Sequence, residues 1–226
     1  MDGDVVVITG AFGRLGAAVR RLAAARGARL ALIDHSQAPR PDAEGLVLGG
    51  VDLADHEQAR RAMDAACEQL GALHVLLNLA GGFRWQTLEK GDPATWDRLY
   101  ALNTRTAVNA CRSALPHLVE SGAGRIVNVG AASVLRAGAG MGPYAASKAG
   151  VLKLTESLAE ELKDRNVTVN AVLPSIIDTP ENRADMGEAN ASKWVKPQEL
   201  AEVILFLASR EARAVTGALV PVMGRV

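Results

Sequence analysis

Rings are scarce in this chain: three Trp, two Tyr and three Phe make 4% of 226 residues. A protein that grips single-stranded nucleic acid stacks bases on a row of aromatics, and no such row exists here. Net charge is missing too, with 25 basic residues set against 25 acidic ones. That balance gives no general attraction to nucleic acid or to an anionic membrane. The two cysteines, Cys67 and Cys111, form no motif. Both fall in predicted helices and read as buried thiols of a reducing compartment, and no metal set is expected. No run approaches the length of apolar sequence that a membrane span needs. The opening MDGDVVVITG carries neither a charged n-region nor an h-region, so no signal peptide is expected and the reading is cytoplasmic.

What is present is small and apolar. Hydrophobic residues make up 49% of the chain, and Ala, Val, Leu and Gly dominate. This composition suits helices packed tightly on a sheet, in one α/β domain over residues 1–226. Val5–Thr9 is a continuous apolar run, as in a strand buried on both faces. A turn with Gly10, Gly13 and Gly16 follows, then an Ala/Arg/Leu helix to about Arg26 with Gly27 at its C-cap. Residues 30–33 form the second strand and end at Asp34. Strand, glycine turn, helix, strand and acid are the context of a dinucleotide fingerprint. The glycines admit a tight turn, and the helix N-terminus favours a pyrophosphate. A tight βα turn without a ligand is the alternative. Asp34 suits the ribose hydroxyls of NAD(H) and repels a 2′-phosphate. Arg14 pulls toward NADP(H) or is a solvated first-turn side chain. NAD(H) is favoured.

Residues 138–150 read GAGMGPYAASKAG and predict a helix with Tyr144 and Lys148 on one face. An ammonium beside a phenol favours the phenolate, so the Tyr144 pKa is expected to fall. The pair makes a general acid for a carbonyl or imine that receives a hydride.

Taken together, Thr9-Gly10 with Gly16, Asn78-Leu79-Ala80-Gly81, Asn103 in Leu-Asn-Thr, and Tyr144-x-x-x-Lys148 resemble the short-chain dehydrogenase/reductase family over essentially the whole chain. The resemblance implies a Rossmann-type, doubly wound, seven-stranded parallel sheet flanked by helices, and an NAD(P)-dependent oxidoreductase. It implies that Tyr144, Lys148 and Asn103 are catalytic, the last bending its helix and relaying protons through water to the lysine. It implies cofactor contacts from the turn (Gly10, Phe12, Gly13, Arg14, Leu15, Gly16), from Asp34, Asp52, Leu53, Leu79, Ala80 and Gly81, and from Tyr144 and Lys148. Pro174, Ile177 and Thr179 match the family's PGxIxT, with Ser175 for its glycine. Dimers or tetramers packed through the helices at 95–120 and 144–162 are implied as well.

Two departures stand out. Gly13 and Arg14 replace the family's usual middle-glycine arrangement. The serine that the family places thirteen residues before the tyrosine is Ala131 here, with Ser133 the nearest hydroxyl. Ala80-Gly81-Gly82-Phe83, Gly130-Ala131, Gly140-Met141 and LPSIIDTPENRADM at 173–186 locally resemble dihydropteridine reductase, which lacks the serine and reduces a C=N system with NADH. The leading expectation is therefore reduction of an electron-poor C=N or C=O without that serine. An ordinary alcohol dehydrogenase or 3-oxoacyl-type ketoreductase using Ser133 or a backbone donor is the second reading. A cofactor-binding regulator with little turnover is the third.

The remaining chain fills in the frame. Further strands are expected at 46–51, 73–77, Gly124–Val129, 168–173 and 216–222, and helices at His56–Leu70, 95–120 and 197–208. Residues 39–44 read as a loop. Asp52 either borders the adenine or caps the helix at 56. Phe83 and Trp85 are candidates to face a small-molecule substrate, loop packing being the alternative, while Trp96 and Leu99 are expected in the core. Residues 181–194 read as a polar lid.

Overall fold

A computed structural model describes residues 1–37 and 44–226; the loop expected at 39–44 lies outside them except for Glu44. Seven parallel strands form one sheet in the order β3-β2-β1-β4-β5-β6-β7. They are β1 Val5–Thr9, β2 Arg29–Ile33, β3 Leu46–Leu48, β4 Val75–Asn78, β5 Gly124–Val129, β6 Val167–Pro174 and β7 Leu219–Val222. The helices are α1 Arg14–Ala25, α2 His56–Leu70, α3 Ala94–Leu99, α4 Thr106–Glu120, α5 Gly142–Leu162, α6 Pro180–Met186 and α7 Pro197–Leu207. The expected seven-stranded, doubly wound parallel sheet is what the chain forms.

Alternation along the strands accounts for the two layers. Val6, Ile8, Leu30, Leu32, Leu77 and Val172 face one side and pack with residues of α1 and α7. Val7, Ala31, Ile33, Leu76, Ile126 and Val169 face the other, against α2 and α4. A strand buried on both faces has no polar side to alternate, which is why β1 reads as an unbroken apolar run. Register then aligns the carboxyl ends: Thr9 pairs with Ile33 and Asn78, and Asn78 with Asn128. Chain order reverses between β1 and β4, so a crevice opens at that point.

Several boundaries differ from expectation, each for a local reason. β3 stops at Leu48 because Gly49 and Gly50 turn the chain, Gly50 at φ 73° with its N–H on Ser36 O. β7 starts at Leu219 because Gly217 takes φ 73° and the Thr216 hydroxyl accepts from Val169 N. Asp55, not Asp52, caps α2, accepting from the N–H groups of Glu57 and Gln58. Leu99 is buried as expected, but Trp96 stays 38% exposed and lies against Gly142 instead of the core. Cys111 is buried, while Cys67 is only partly so. The helix expected over 95–120 is continuous but not uniformly α: Tyr100–Arg105 is π-helical between α3 and α4.

At the amino ends of the central strands, the Asp4 carboxylate meets Arg125 Nη1 at 3.1 Å with both side chains buried. Removing one partner strands the other charge in the core. Asp4→Ala is expected to lower stability by about 3 kcal/mol, seen as a lower urea midpoint with an unchanged slope.

Candidate active site

The crevice is a cleft of about 420 Å³. Among the described residues its lining comprises Gly10, Gly13, Arg14, Leu15 and Gly16 from the turn, Asp34 and His35 after β2, and Val51, Asp52 and Leu53 before α2. Leu79, Ala80 and Gly81 line it after β4, with Leu102 and Thr106 from the helix above. Eleven positions expected to touch a cofactor are thus brought together, while His35, Val51, Leu102 and Thr106 were not foreseen. They carry no motif: His35 and Val51 follow converging strand ends, and Leu102 and Thr106 come from the helix laid over them.

Backbone crowding shapes the cleft. Gly10 sits at φ 64°, and a Cβ there would be 2.9 Å from Ala80 Cα. A Cβ on Gly16 would collide with Gly10 O and the Ala11 carbonyl. Gly10 lets the turn lie flat against the β4 loop, and Gly16 lets α1 start close under the turn's own backbone. Thr9 fixes that loop: its hydroxyl accepts from Leu79 N at 3.1 Å and Ala80 N at 3.2 Å. Asp34 accepts from Phe12 N and from Ser36 N, each at 2.9 Å. Each carboxylate oxygen keeps a further lone pair. Phe12 thus holds the acid from below; its side chain is buried in the core and does not line the cleft. Asp52 Oδ1 accepts from Ala54 N at 2.9 Å, and Asn109 Nδ2 binds the Leu53 and Ala54 carbonyls, which steadies the far wall.

Pro174, Ile177 and Thr179 are not among the cleft lining. Pro174 ends β6, Ile177 packs on the core, and the Thr179 hydroxyl caps α6 by accepting from Asn182 N at 3.2 Å. The expected polar lid at 181–194 is α6 followed by a turn that ends in buried Trp194.

Tyr144, Lys148 and Asn103 are not among the residues that line the cleft; α5 brings buried Lys148 up against Gly81 of its wall and leaves Tyr144 half-buried. Lys148 Nζ donates to Val129 O at 2.8 Å. It lies beside Gly81, where a Cβ would sit 3.2 Å from Nζ and 2.5 Å from Asn103 Oδ1. Asn103 Oδ1 accepts from Gly82 N at 2.9 Å, and its Nδ2 donates to Gly82 O at 3.0 Å and to Ser147 Oγ at 2.9 Å. Ser147 in turn donates to Tyr144 O at 2.7 Å. Asn103 is buried in the π-helical stretch, not exposed on an α-helix. The network ties the β4 loop, the π-turn and α5 into one body.

The Tyr144 ring meets Phe83 edge-on, centroids 5.0 Å apart with planes at 86°. Trp85 does something else. Its indole donates to Ala139 O at 3.0 Å and closes on Gly140, which has no Cβ to obstruct it. Gln86 N bonds Gly140 O at 3.0 Å, so Trp85 straps the loop that leads into α5. Ala131 is buried and extended, at φ −161°. Ser133 follows in a short 3₁₀ turn, its Oγ buried without a hydrogen-bond partner among the described residues.

Burial sets the titration of the pair. It pushes the Tyr144 hydroxyl up to about 12. It pushes Lys148 down to about 8. The expected fall of the tyrosine is therefore not seen: loss of water disfavours the phenolate, and the lysine, committed to Val129 O, is itself destabilised as a cation. At pH 7 the tyrosine holds its proton and the lysine is mostly charged.

Residues 4–189 match the model of the short chain dehydrogenase family. A 3-oxoacyl-[acyl-carrier-protein] reductase of Thermotoga maritima is 34% identical, covering 99% of this chain and 98% of that protein. The 4-formylbenzenesulfonate dehydrogenase of Comamonas testosteroni is 32% identical, with coverage of 99% and 98%. Carveol dehydrogenase from Mycobacterium avium, solved in complex with NAD, superposes with a TM-score of 0.88 at 28% identity, covering 99% of this chain and 97% of that one.

A buried lysine with a lowered pKa makes folding pH-dependent. The folded state gives up its proton near pH 8, the unfolded chain near the ordinary 10.5. Between these values the unfolded state binds more protons, so this group's contribution to stability rises with pH. The tyrosine is silent there, since its raised value matters only above its ordinary 10. Thermal melts of the cofactor-free protein from pH 8 to 10 are expected to show that rising contribution in wild type relative to Lys148→Met. Parallel pH dependences would contradict it.

Proposed function

The chain belongs to the short-chain dehydrogenase family, and from that premise we propose an NAD(H)-dependent reductase of an electron-poor C=N or C=O bond. One observation carries the proposal. Tyr144, with Phe83 against its ring, shares α5 with a Lys148 that lies beside Asn103 and beside Gly81, a residue of the cleft wall.

The residues present fit a nicotinamide dinucleotide. Gly10 and Gly16 make a cradle that a Cβ would fill, and the turn backbone offers N–H groups for the pyrophosphate. Asp34 has lone pairs for the adenosine ribose, and Asp52 with Leu53 borders the adenine end. Leu79, Ala80 and Gly81 give a floor of bare backbone along the dinucleotide. Pro174, Ile177 and Thr179 are assigned to the amide end. When bound, the nicotinamide supplies the hydride.

The chain's own task is proton delivery. Burial keeps the proton on Tyr144 Oη at pH 7, the state an acid needs. Although weakened, the phenol remains far more acidic than the alcohol or amine that a reduced C=O or C=N becomes. Lys148 has three N–H donors and spends one on Val129 O, which leaves others for ribose hydroxyls. Its charge, one helical turn from the tyrosine, offsets the phenolate as the proton leaves. Asn103 holds the loop under Lys148 and carries the water relay. Phe83 is the aromatic that meets the substrate.

The absent hydroxyl at Ala131 supports the C=N reading and the likeness to dihydropteridine reductase, because a quinonoid nitrogen takes its proton from tyrosine with less help at an oxygen. A second reading has its own support: the relatives include 3-oxoacyl-[acyl-carrier-protein] reductases, and Ser133 Oγ lacks a partner among the described residues. Under it Ser133 steadies a carbonyl oxygen. The small-molecule substrate is met by a self-associated protein, a dimer or tetramer, a reading supported by Tyr100 and Val108 standing exposed along the helix at 95–120.

NADH oxidation with quinonoid dihydropterin, a β-ketoester and a diketone separates the readings. Tyr144→Phe is expected to lose at least about 100-fold in kcat while still binding NADH in a fluorescence titration. Ser133→Ala is expected to keep turnover of the dihydropterin within about threefold. A loss in Ser133→Ala equal to that in Tyr144→Phe would favour the ketoreductase, and tight cofactor binding without turnover would favour a regulator.

A further inference from the structure

A second cavity, of about 360 Å³, shares Leu102 with the cofactor cleft. Among the described residues its lining is Phe83, Arg84, Arg98, Leu99 and Leu102. The loop after β4 makes one wall, and α3 with the π-helical stretch makes the other. Gly82 lets the two walls meet, because a Cβ there would lie 2.5 Å from Leu102 Cδ2. Phe83 meets Tyr144 and Trp85 reaches Ala139, while Arg84 between them joins Arg98, from the last turn of α3.

Two cations thus share an apolar hollow. Leu99 is buried, and no carboxylate lines the cavity among the described residues. Arg98 Nη2 donates to the Thr95 hydroxyl at 2.8 Å, a neutral partner that leaves the charge uncancelled. No ion pair engages Arg84 among the described residues. The cofactor cleft is composed differently, with Asp34 and Asp52 set against Arg14. Guanidinium groups take carboxylate, sulfonate or phosphate oxygens through two donors at once. Apolar walls around like charges focus their field on an arriving anion. The volume falls within the range of small-ligand pockets, about 300–1,000 Å³. Phe83 belongs both to this cavity and to the Tyr144 contact, with centroids 5.0 Å apart, so a ligand lying on Phe83 is one ring away from the proposed proton donor. Tyr100 and Val108, which support self-association, do not line it.

We propose that this cavity receives the anionic group of the substrate: a small organic acid with an apolar body, its charge met by Arg84 and Arg98 and its body laid on Phe83, Leu99 and Leu102. The proposal deepens the reductase reading above and rests on it. Neither the cofactor cleft nor the Tyr144–Lys148 pair asks for a charged substrate, whereas the two arginines do. A neutral molecule of the same shape would gain the apolar contact and nothing from the guanidinium groups.

4-Acetylbenzoate and its methyl ester share a ketone and differ by one charge. Calorimetric titration of each into protein saturated with NAD+ measures Kd without turnover. The acid is expected to bind about tenfold tighter than the ester, and Arg84→Gln and Arg98→Gln each to weaken the acid about fivefold, the order of an exposed ion pair, while sparing the ester. Added salt is expected to shrink the advantage of the acid. Equal affinities in the wild type overturn the proposal. So does an advantage that survives Arg84→Gln and Arg98→Gln combined, or a weakening equal for both ligands, which would mean that the loop has merely shifted. NADH oxidation tells this proposal from the reading beneath it. An acid bound as expected, with neither ketone reduced, supports the anion site and defeats the reductase reading; reduction of both ketones with equal KM values defeats the anion site alone.

Discussion

The site depends on one side chain that closes a hydrogen-bonded pair with backbone. Asn103 accepts from Gly82 N and donates to Gly82 O, as a neighbouring strand would, and its second amide proton goes to Ser147 on α5. To reach both, its helix must widen by one residue per turn, and the chain is π-helical over Tyr100–Arg105. Such widening has poorer hydrogen-bond geometry and is retained mostly where a site needs it. Here it moves an amide from a helix surface into the gap between the β4 loop and α5. Without it, the floor under Lys148 and the helix carrying Tyr144 would be positioned independently.

Deep placement has an electrostatic consequence. Lys148 is buried with Val129 O as its hydrogen-bond partner, and burial pushes it down to about 8. Tyr144 goes the other way, to about 12. Each group is thereby held nearer its neutral form, the usual result of removing water from a charge. Under the proposed function, a lysine that costs stability in the free protein is kept because its ammonium is wanted when a ligand and a developing phenolate share the space. The pair is therefore better described as two groups poised by desolvation than as a base lowering its neighbour. A negative charge forming on Tyr144 would draw the lysine proton back and so couple the two titrations.

Much of this was legible locally. The β1 run, the glycine turn and Asp34 are set by backbone rules that act within a few residues, and they lie where the sequence places them. Tyr144 and Lys148 share α5 because helical spacing dictates it. What was not legible depends on chain segments meeting from far apart. The Trp85 indole turns to Ala139 because Gly140 leaves room for it, and nothing near Trp85 records that vacancy. Trp96 stays at the surface against Gly142 for a similar reason. The caps at Asp52 and Asp55 are interchangeable by residue type, and only the geometry of the turn makes Asp55 the one that reaches α2. The meeting of Arg84 and Arg98 in one cavity has no sequence signature at all.

Ala131 bears directly on the substrate the proposed function would take. Its extended backbone places a methyl group at the end of β5, where the family resemblance implies a hydroxyl. A substrate oxygen that gains negative charge there would lose one donor, a loss of roughly 3 kcal/mol in the transition state where such donors operate. Under the proposed function, proton transfer from Tyr144 would have to make up that difference, and burial, which disfavours the phenolate, makes that harder for a carbonyl that gains charge early. A conjugated imine differs: its nitrogen is basic enough to be protonated as the hydride arrives, and charge spreads over the ring system. On the proposed reading, an alanine and a buried tyrosine at these places would handicap C=N reduction less than ketone reduction. An enzyme acting on ketones would have to recover the lost donor from Ser133, whose hydroxyl is buried and uncommitted two residues further on.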